Sequence, residues 1–382
     1  MGVFRLFLAL SVLVGHSRHH LLGLALVNRE IALQTFFVIS GFYMALILNE
    51  KYIESGRYWT FLQQRFLRLY PTYFIILLLI LLVDGTVYFA TGTFWGSLRG
   101  WNTFGNLASP QVLAFMVAEN LIVLGQDLVM LLQLDATTGS LSFHAPVPAT
   151  GACAFLLNVP AWSLAAEFSF YLVAPFLVCR SARTQVAIVL ACFVLRAVMF
   201  WAIPFDNYHW VYFTFPPNLL FFMTGSLGYI LYTNYGHRLR MVALSRKWLL
   251  AVFGLIGLTY SGLPFAHQLY LVWFPMVFVM VPLLFALTRQ NRTDRFIGEL
   301  SYPFYLIHSH VLMFIMPLFS PQAYHWLIPL ISAALTFALA YLFYRFIEMR
   351  TERFRERLYR RSHSSSPALE SIPAIIPPPV PG

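Results

Sequence analysis

About ten runs of roughly twenty apolar residues divide this chain, and a run of that length is what an α-helix needs to cross the hydrocarbon core of a bilayer. They fall near 3–23, 31–49, 70–91, 160–179, 185–205, 213–233, 247–264, 269–288, 303–320 and 325–346. Backbone in lipid must satisfy its own hydrogen bonds, so runs this long read as helices. Composition agrees, with 59% of the residues hydrophobic, 10% charged and a mean hydropathy of +0.70. A water-soluble globule of 382 residues could not hide so much apolar surface. The expected fold is all-α: a polytopic integral membrane helical bundle of about ten transmembrane helices.

Charge sets the orientation. If the N-terminus is cytoplasmic and the stretch 112–134 makes no net crossing, twenty of the 25 basic residues fall on cytoplasmic segments, and only Arg18, Arg29 and Arg99 fall outside. A single crossing by 112–134 would invert every later loop and destroy that bias. Glu119, Gln126, Asp127 and Gln133 within it suit an amphipathic or re-entrant segment. Both termini are therefore expected in the cytoplasm. The apolar N-terminal run meets Gly15-His16-Ser17-Arg18 and no small-residue cleavage site, which reads as a retained signal anchor. Residues 1–350 form the expected transmembrane domain. Residues 351–382 form a basic juxtamembrane segment and a disordered Pro/Ser-rich cytoplasmic tail. Cys153, Cys179 and Cys192 make no disulfide framework, and no metal-ligand spacing stands out. The basic excess, read as topology, gives no reason to expect a nucleic-acid partner.

An ionisable group inside an apolar span is costly and marks a candidate site. Arg5 and His16 lie eleven residues, about three turns, apart on one face of the first span, with His16 about 16 Å deeper. The alternative is that Arg5 only anchors topology and His16 marks the outer end of a short helix. Arg65 and Arg68, in Arg65-Phe66-Leu67-Arg68-Leu69-Tyr70-Pro71, face the same way at the inner mouth, with Pro71 suited to a first helical turn. Two guanidinium forks so arranged can clamp a phosphate or pyrophosphate, though juxtamembrane arginines also anchor lipid headgroups. Trp162-Ser163-Leu164-Ala165-Ala166-Glu167 opens the fourth span from outside, with Tyr171 one turn after Glu167. Ser301-Tyr302-Pro303-Phe304-Tyr305-Leu306-Ile307-His308 steps a polar stripe of Tyr302, Tyr305 and His308 at every third residue. That stripe could equally bind neighbouring helices.

These clusters, in this order, resemble the membrane-bound acyltransferase family 3. The resemblance includes Phe36-Phe37-Val38-Ile39-Ser40-Gly41-Phe42 between the first two clusters and covers roughly residues 3–346. It implies about ten spans and transfer of an acyl group, often acetyl, from acyl-CoA to hydroxyls of extracytoplasmic glycans. His16 and Glu167 are then the expected catalytic residues, and Arg5, Arg65 and Arg68 the expected donor-binding residues. Ser40, Trp162, Ser163, Tyr171, Tyr302, Tyr305 and His308 would support them. Two positions depart from the family pattern: Gly2 and Gln34 stand where many members carry an acid. Members with a two-step reaction often carry a fused SGNH-hydrolase-like domain, and none is expected here.

The expected activity is an acyl-CoA-dependent O-acyltransferase of the inner membrane that modifies lipopolysaccharide O-antigen, exopolysaccharide or a lipid-linked glycan. Acetyl-CoA serves as donor substrate, no metal takes part, and the partners are donor, glycan or glycolipid acceptor and membrane lipid. With an ordinary pKa of about 6.5, His16 would act as general base or accept the acyl group itself, and Glu167 would orient the imidazole or the sugar hydroxyl. Three rivals stand beside this reading. One is transfer of succinyl or another acyl group, or acylation of a small molecule; another is a transporter or flippase of a lipid-linked sugar; the third is a non-catalytic sensor or scaffold.

Overall fold

The computed structural model describes residues 1–52, 58–143, 151–202, 207–263, 266–319 and 326–363. The chain is built almost entirely of helices. In order they are α1 (Gly2–Ser17), α2 (Arg29–Glu50), α3 (Tyr58–Thr91), α4 (Leu98–Phe104), α5 (Pro110–Ile122) and α6 (Gln126–Val129), followed by the strands β1 (Leu132–Leu134) and β2 (Leu141–Phe143). Then come α7 (Trp162–Leu177), α8 (Ala182–Ala202), α9 (Asn207–Phe213), α10 (Phe215–Ser245), α11 (Lys247–Thr259), α12 (Ala266–Thr288), α13 (Arg292–Ile315), α14 (Leu327–Phe343) and α15 (Met349–His363). Among the described residues, five helical stretches, in α2, α3, α8, α12 and α14–α15, are long and apolar enough to cross a membrane, or six if the pair α10–α11, bent by 80°, counts as one.

Several boundaries differ from those expected. The first span was read over 3–23, but α1 ends at Ser17, where Arg18 adopts a left-handed conformation (φ 59°). Such a residue closes a helix by turning its backbone away from the axis. At the other extreme, α3 starts at Tyr58 rather than 70 and α13 at Arg292 rather than 303. Pro71 and Pro303 therefore sit inside helices, not in first turns. An apolar window finds the part of a helix that touches lipid and misses polar turns that continue it. The basic segment after residue 350 is likewise helical: α14 passes through a π-helical turn, Tyr344–Glu348, straight into α15. The Pro/Ser-rich stretch 364–382 lies outside the described residues.

Two glycine contacts set the core geometry. On α2 and α10, a Cβ added at Gly41 would lie 1.8 Å from the Phe222 carbonyl oxygen, and one at Gly225 1.8 Å from that of Val38. Small residues let helix backbones touch, which is the main packing device where lipid removes the hydrophobic drive between helices. Phe37 stacks on Phe222 and Phe42 packs on Tyr229 further along, so these two helices run parallel. On α1 and α13, a Cβ added at Gly2 would lie 1.5 Å from the Asp294 carbonyl oxygen, and one at Gly298 2.8 Å from the Gly2 Cα. The Asp294 carboxylate there accepts hydrogen bonds from the backbone N–H of Gly2 (2.8 Å) and Val3 (3.0 Å), capping α1 from a neighbouring helix. α2 is the central helix, whereas α8 turns most of its apolar surface outward.

The stretch 112–134 is the short helix α5, one turn of α6 and strand β1. Thirteen residues of α5 reach about 20 Å, short of the hydrocarbon thickness. With α4, the hairpin and residues 151–157, it forms a cap with its own small core around Val112, Met116 and Phe155. Asn120 ties this cap to the bundle. Its amide donates to the Met116 and Phe155 carbonyls, its side-chain oxygen accepts from Leu157 N–H, and its backbone carbonyl accepts a hydrogen bond from the Tyr73 hydroxyl. All three cysteines are free.

Candidate active site

Helices α1 and α13 pack against each other at Gly2 and Gly298 and meet again at two histidines. His16 Nδ1 lies 2.9 Å from His308 Nε2, and the rings stack with centroids 5.1 Å apart. His16 sits in the last turn of α1, the outer end of a short helix, yet its ring faces α13, which runs on past it to Ile315. The buried His308 turns its Nδ1 to the carbonyl oxygen of Tyr305, one turn earlier on its own helix. A carbonyl only accepts, so Nδ1 of His308 carries the proton. With both rings neutral, His308 Nε2 is bare and accepts from His16 Nδ1–H. That leaves His16 Nε2 as the nitrogen with a lone pair. One backbone oxygen thus sets two tautomers in series.

From His308 the polar stripe runs back along α13 through Tyr305 and Tyr302 to Glu299, three residues at a time. Nine residues span about 13.5 Å, and each step turns about 60° around the helix, so the stripe winds past different neighbours. Tyr305 meets α7, where Ser163 Oγ donates to the Tyr305 hydroxyl oxygen at 2.9 Å and the Tyr305 O–H donates to the Pro160 carbonyl at 3.2 Å. The Tyr302 O–H donates to the Leu69 carbonyl of α3 at 2.7 Å. Glu299 forms an ion pair with Arg68 at 3.5 Å.

The arginine end of the stripe gathers residues from six elements. Arg68 and the deeply buried Arg65 come from α3, and Arg5 from α1 lies near Gly298. The charge of Arg5 acts on Glu299 and on Glu348 of the π-helical turn. Glu167 of α7 belongs to this end too. Its carboxylate accepts the Tyr171 O–H at 2.9 Å and interacts with the Ser40 hydroxyl of α2, and Arg5 and Arg68 are the cations acting on it. In the structure His308 is the residue that meets the His16 imidazole, while the Glu167 carboxylate meets Tyr171. Glu167 sits one turn further along α7 from Ser163, towards the arginines. Trp162 packs edge-on against Tyr212 and Phe213 and fastens the start of α7 to α9.

Sequence reasoning missed Glu299, Glu348, Arg355 and His310. Glu299 was within reach, since it continues the three-residue step of the stripe by one turn. His310 was masked by the nearby His308; its Nε2 lies 3.0 Å from the Leu157 carbonyl oxygen and 3.2 Å from Ser97 Oγ, pinning the cap over the histidine end. Arg355 carries no local signal, because only the packing of α15 on α3 brings it to the site. Gly2 lacks the acid expected there, and Asp294 supplies a carboxylate at that helix start from α13. Among the described residues, no group of three or more His, Cys, Asp or Glu is arranged to hold a metal ion.

Chemically, the arrangement offers a nucleophilic or basic nitrogen at one end, paired cations at the other and hydroxyl groups between. A family model described as an acyltransferase domain matches residues 1–345. No curated protein and no solved structure matches the chain. The match spans the helices that carry every expected site residue from Arg5 to His308, and the chain belongs to the membrane-bound acyltransferase family 3.

Proposed function

We propose that the protein transfers an acetyl group from acetyl-CoA, taken up at the cytoplasmic mouth, to a hydroxyl of an extracytoplasmic or lipid-linked glycan such as O-antigen or exopolysaccharide. The observation that carries this reading is the continuous polar stripe of α13, with fixed cations at one end and the tautomer-locked His16 at the other. Arg65, Arg68 and Arg5 bind the phosphates of the donor by charge-assisted hydrogen bonds, strengthened by partial removal from water. The thioester then extends along Tyr302 and Tyr305 towards His16. In direct transfer, His16 Nε2 takes the proton of the acceptor hydroxyl as its oxygen attacks the thioester carbonyl. The C–S bond breaks, and the proton passes to the departing thiolate. In a relay, the same nitrogen attacks the thioester carbonyl first, the C–S bond breaks and coenzyme A leaves as the thiolate; the acceptor oxygen then takes the acyl group from the imidazole, freeing Nε2, and its hydroxyl proton neutralises the thiolate. Both routes need the lone pair on Nε2.

The orientation we propose is ten crossings with both termini in the cytoplasm of an inner-membrane protein. It is supported by the parallel packing of α1 with α13 and of α2 with α10, since parallel neighbours start on the same side. With ten crossings these are spans one and nine, and two and six. One extra crossing at α5 would make both pairs antiparallel.

The test is mass spectrometry of surface glycans from a deletion strain complemented with wild type or His16→Ala. We expect the acetyl increment to vanish on deletion and to return only with wild type. Glycans that keep their acetylation without the protein would refute the reading. Purified protein that moves a lipid-linked sugar across vesicles without using acetyl-CoA would favour a transporter instead.

A further inference from the structure

Arg65 and Arg355 are only 5% and 7% exposed, and the Nε of each is buried with no hydrogen-bond acceptor. Among the described residues no carboxylate is ion-paired with Arg65. Arg355 has one such partner, Glu352, three residues earlier on α15 and itself about a third exposed. Three contacts bring these guanidinium groups to one place. The Gln64 side-chain amide, next to Arg65, donates to the Arg355 carbonyl at 3.2 Å. Tyr52, just past α2, packs edge-on against both Phe61 and Tyr359, with centroids 5.6 and 6.1 Å away. Phe61 is one turn before Arg65, and Tyr359 one turn after Arg355, so the two arginines lie on the converging faces. A third cation joins them, because Lys51 Nζ stands 3.9 Å over the Tyr359 ring.

Like charges gathered in a dehydrated site repel one another, and buried charge without full pairing is costly. An anion among them removes both penalties. Depth identifies which anion. Arg68, paired with Glu299, lies nearest the stripe; Arg65 is one turn further out; the backbone of Arg355 is level with Gln64, beside Arg65, and Lys51, over the Tyr359 ring, lies one turn beyond it. A donor whose thioester points along the stripe would lay its pyrophosphate against Arg68 and Arg65. The phosphate on its ribose would stay outermost.

We infer that Arg355, with Lys51, binds the ribose 3′-phosphate of the acyl-CoA donor, an inference that rests on the acyl-CoA reading above. A phosphomonoester carries close to two charges near neutral pH, and its oxygens match the guanidinium fork. The arginine stands beyond residue 345, where the family match ends, so this contact belongs to the C-terminal helix of this chain.

The experiment is calorimetric titration of the full-length protein in lipid nanodiscs with coenzyme A and with 3′-dephospho-coenzyme A. Wild type is expected to bind coenzyme A at least about tenfold tighter, the least expected from one charged hydrogen bond. Arg355→Ala brings coenzyme A down to the dephospho level and leaves dephospho-coenzyme A within about twofold of wild type. Arg355→Lys keeps part of the preference, and Arg353→Ala, exposed on the same helix, keeps all of it. Equal affinities in wild type, or an undiminished preference in Arg355→Ala, overturn the inference while leaving the donor reading intact. Loss of both ligands in Arg355→Ala and Arg355→Lys alike also overturns it, since α15 then only holds the bundle together. If wild type binds neither ligand, the acyl-CoA reading fails and takes this inference with it.

Discussion

Replacing His308 tests the tautomer argument directly. The side chain touches neither end of the donor in the proposed scheme; it acts by accepting the His16 Nδ1 proton at 2.9 Å while its own Nδ1 is occupied by the Tyr305 carbonyl. In His308→Ala that acceptor disappears. Losing one net hydrogen bond of about 1–1.5 kcal/mol lowers the fraction of His16 in the reactive tautomer about tenfold. The ring also loses its stacked neighbour and can turn, and a misplacement of about 1 Å costs about 100-fold. Together kcat should fall about 1000-fold. KM for acetyl-CoA should stay within about twofold, because the cations that hold the donor are some 13 Å along α13. His308→Gln, whose amide oxygen can occupy the position of Nε2 and accept the same proton, should recover at least tenfold over His308→Ala. The double variant His16→Ala/His308→Ala should be no slower than His16→Ala alone, since a positioning group has nothing left to position. Steady-state kinetics with labelled acetyl-CoA in nanodiscs reads all of these. A His308→Ala enzyme within about threefold of wild type, or a double variant clearly slower than His16→Ala, would refute the reasoning.

At the donor end, Arg65→Ala or Arg68→Ala should raise the acetyl-CoA dissociation constant at least about tenfold, and Arg68→Lys less, as a point charge keeps attraction but not the bidentate geometry. Gly41→Ala should lower the apparent thermal stability in detergent by the equivalent of about 3 kcal/mol, because its Cβ would meet the Phe222 carbonyl. Gly254→Ala, with nothing within 4 Å, should be neutral or slightly stabilising; equal effects at both positions would sink the close-packing argument. For Asp294, burial alone would raise the carboxyl pKa, but the N–H groups of Val3 and Gly2 and the Met1 amino group outweigh it and hold the carboxyl below its ordinary 3.8. Its contribution is therefore complete above pH 3.8 and lost as pH falls through the lower folded value. Asp294→Asn should cost about 1 kcal/mol at pH 7, and the difference from wild type should shrink in acid. A gap that widens below pH 4 would contradict this sign.

Much of the architecture was legible in the chain itself. Apolar run length identifies membrane helices because lipid forbids unpaired backbone, and that constraint acts within each segment alone. Periodicity is equally local, which is why Tyr302, Tyr305 and His308 could be read as one stripe and why Glu299 could have been added to it. Helix ends were harder. The polar first turns of α3 and α13 carry no apolar signal, so Pro71 and Pro303 looked like starts when they lie inside. The cap built from residues 92–143 and 151–157 was unreadable, since its order comes from Asn120 bridging to Phe155 and Leu157, some 35 residues on, and from Asp84 holding Ser97.

What the sequence by itself determined is a helical membrane protein of a recognisable acyltransferase family, with Arg5, His16, Arg65, Arg68 and Glu167 marked out as costly polar groups in apolar surroundings. The tertiary structure alone decided which of them work together. It set His16 against His308 rather than Glu167, drew Glu167 to the arginines and brought Arg355 onto α3. Desolvation cost depends only on a residue and its own segment, whereas hydrogen-bond partnership depends on which helices pack side by side, and no local pattern encodes that.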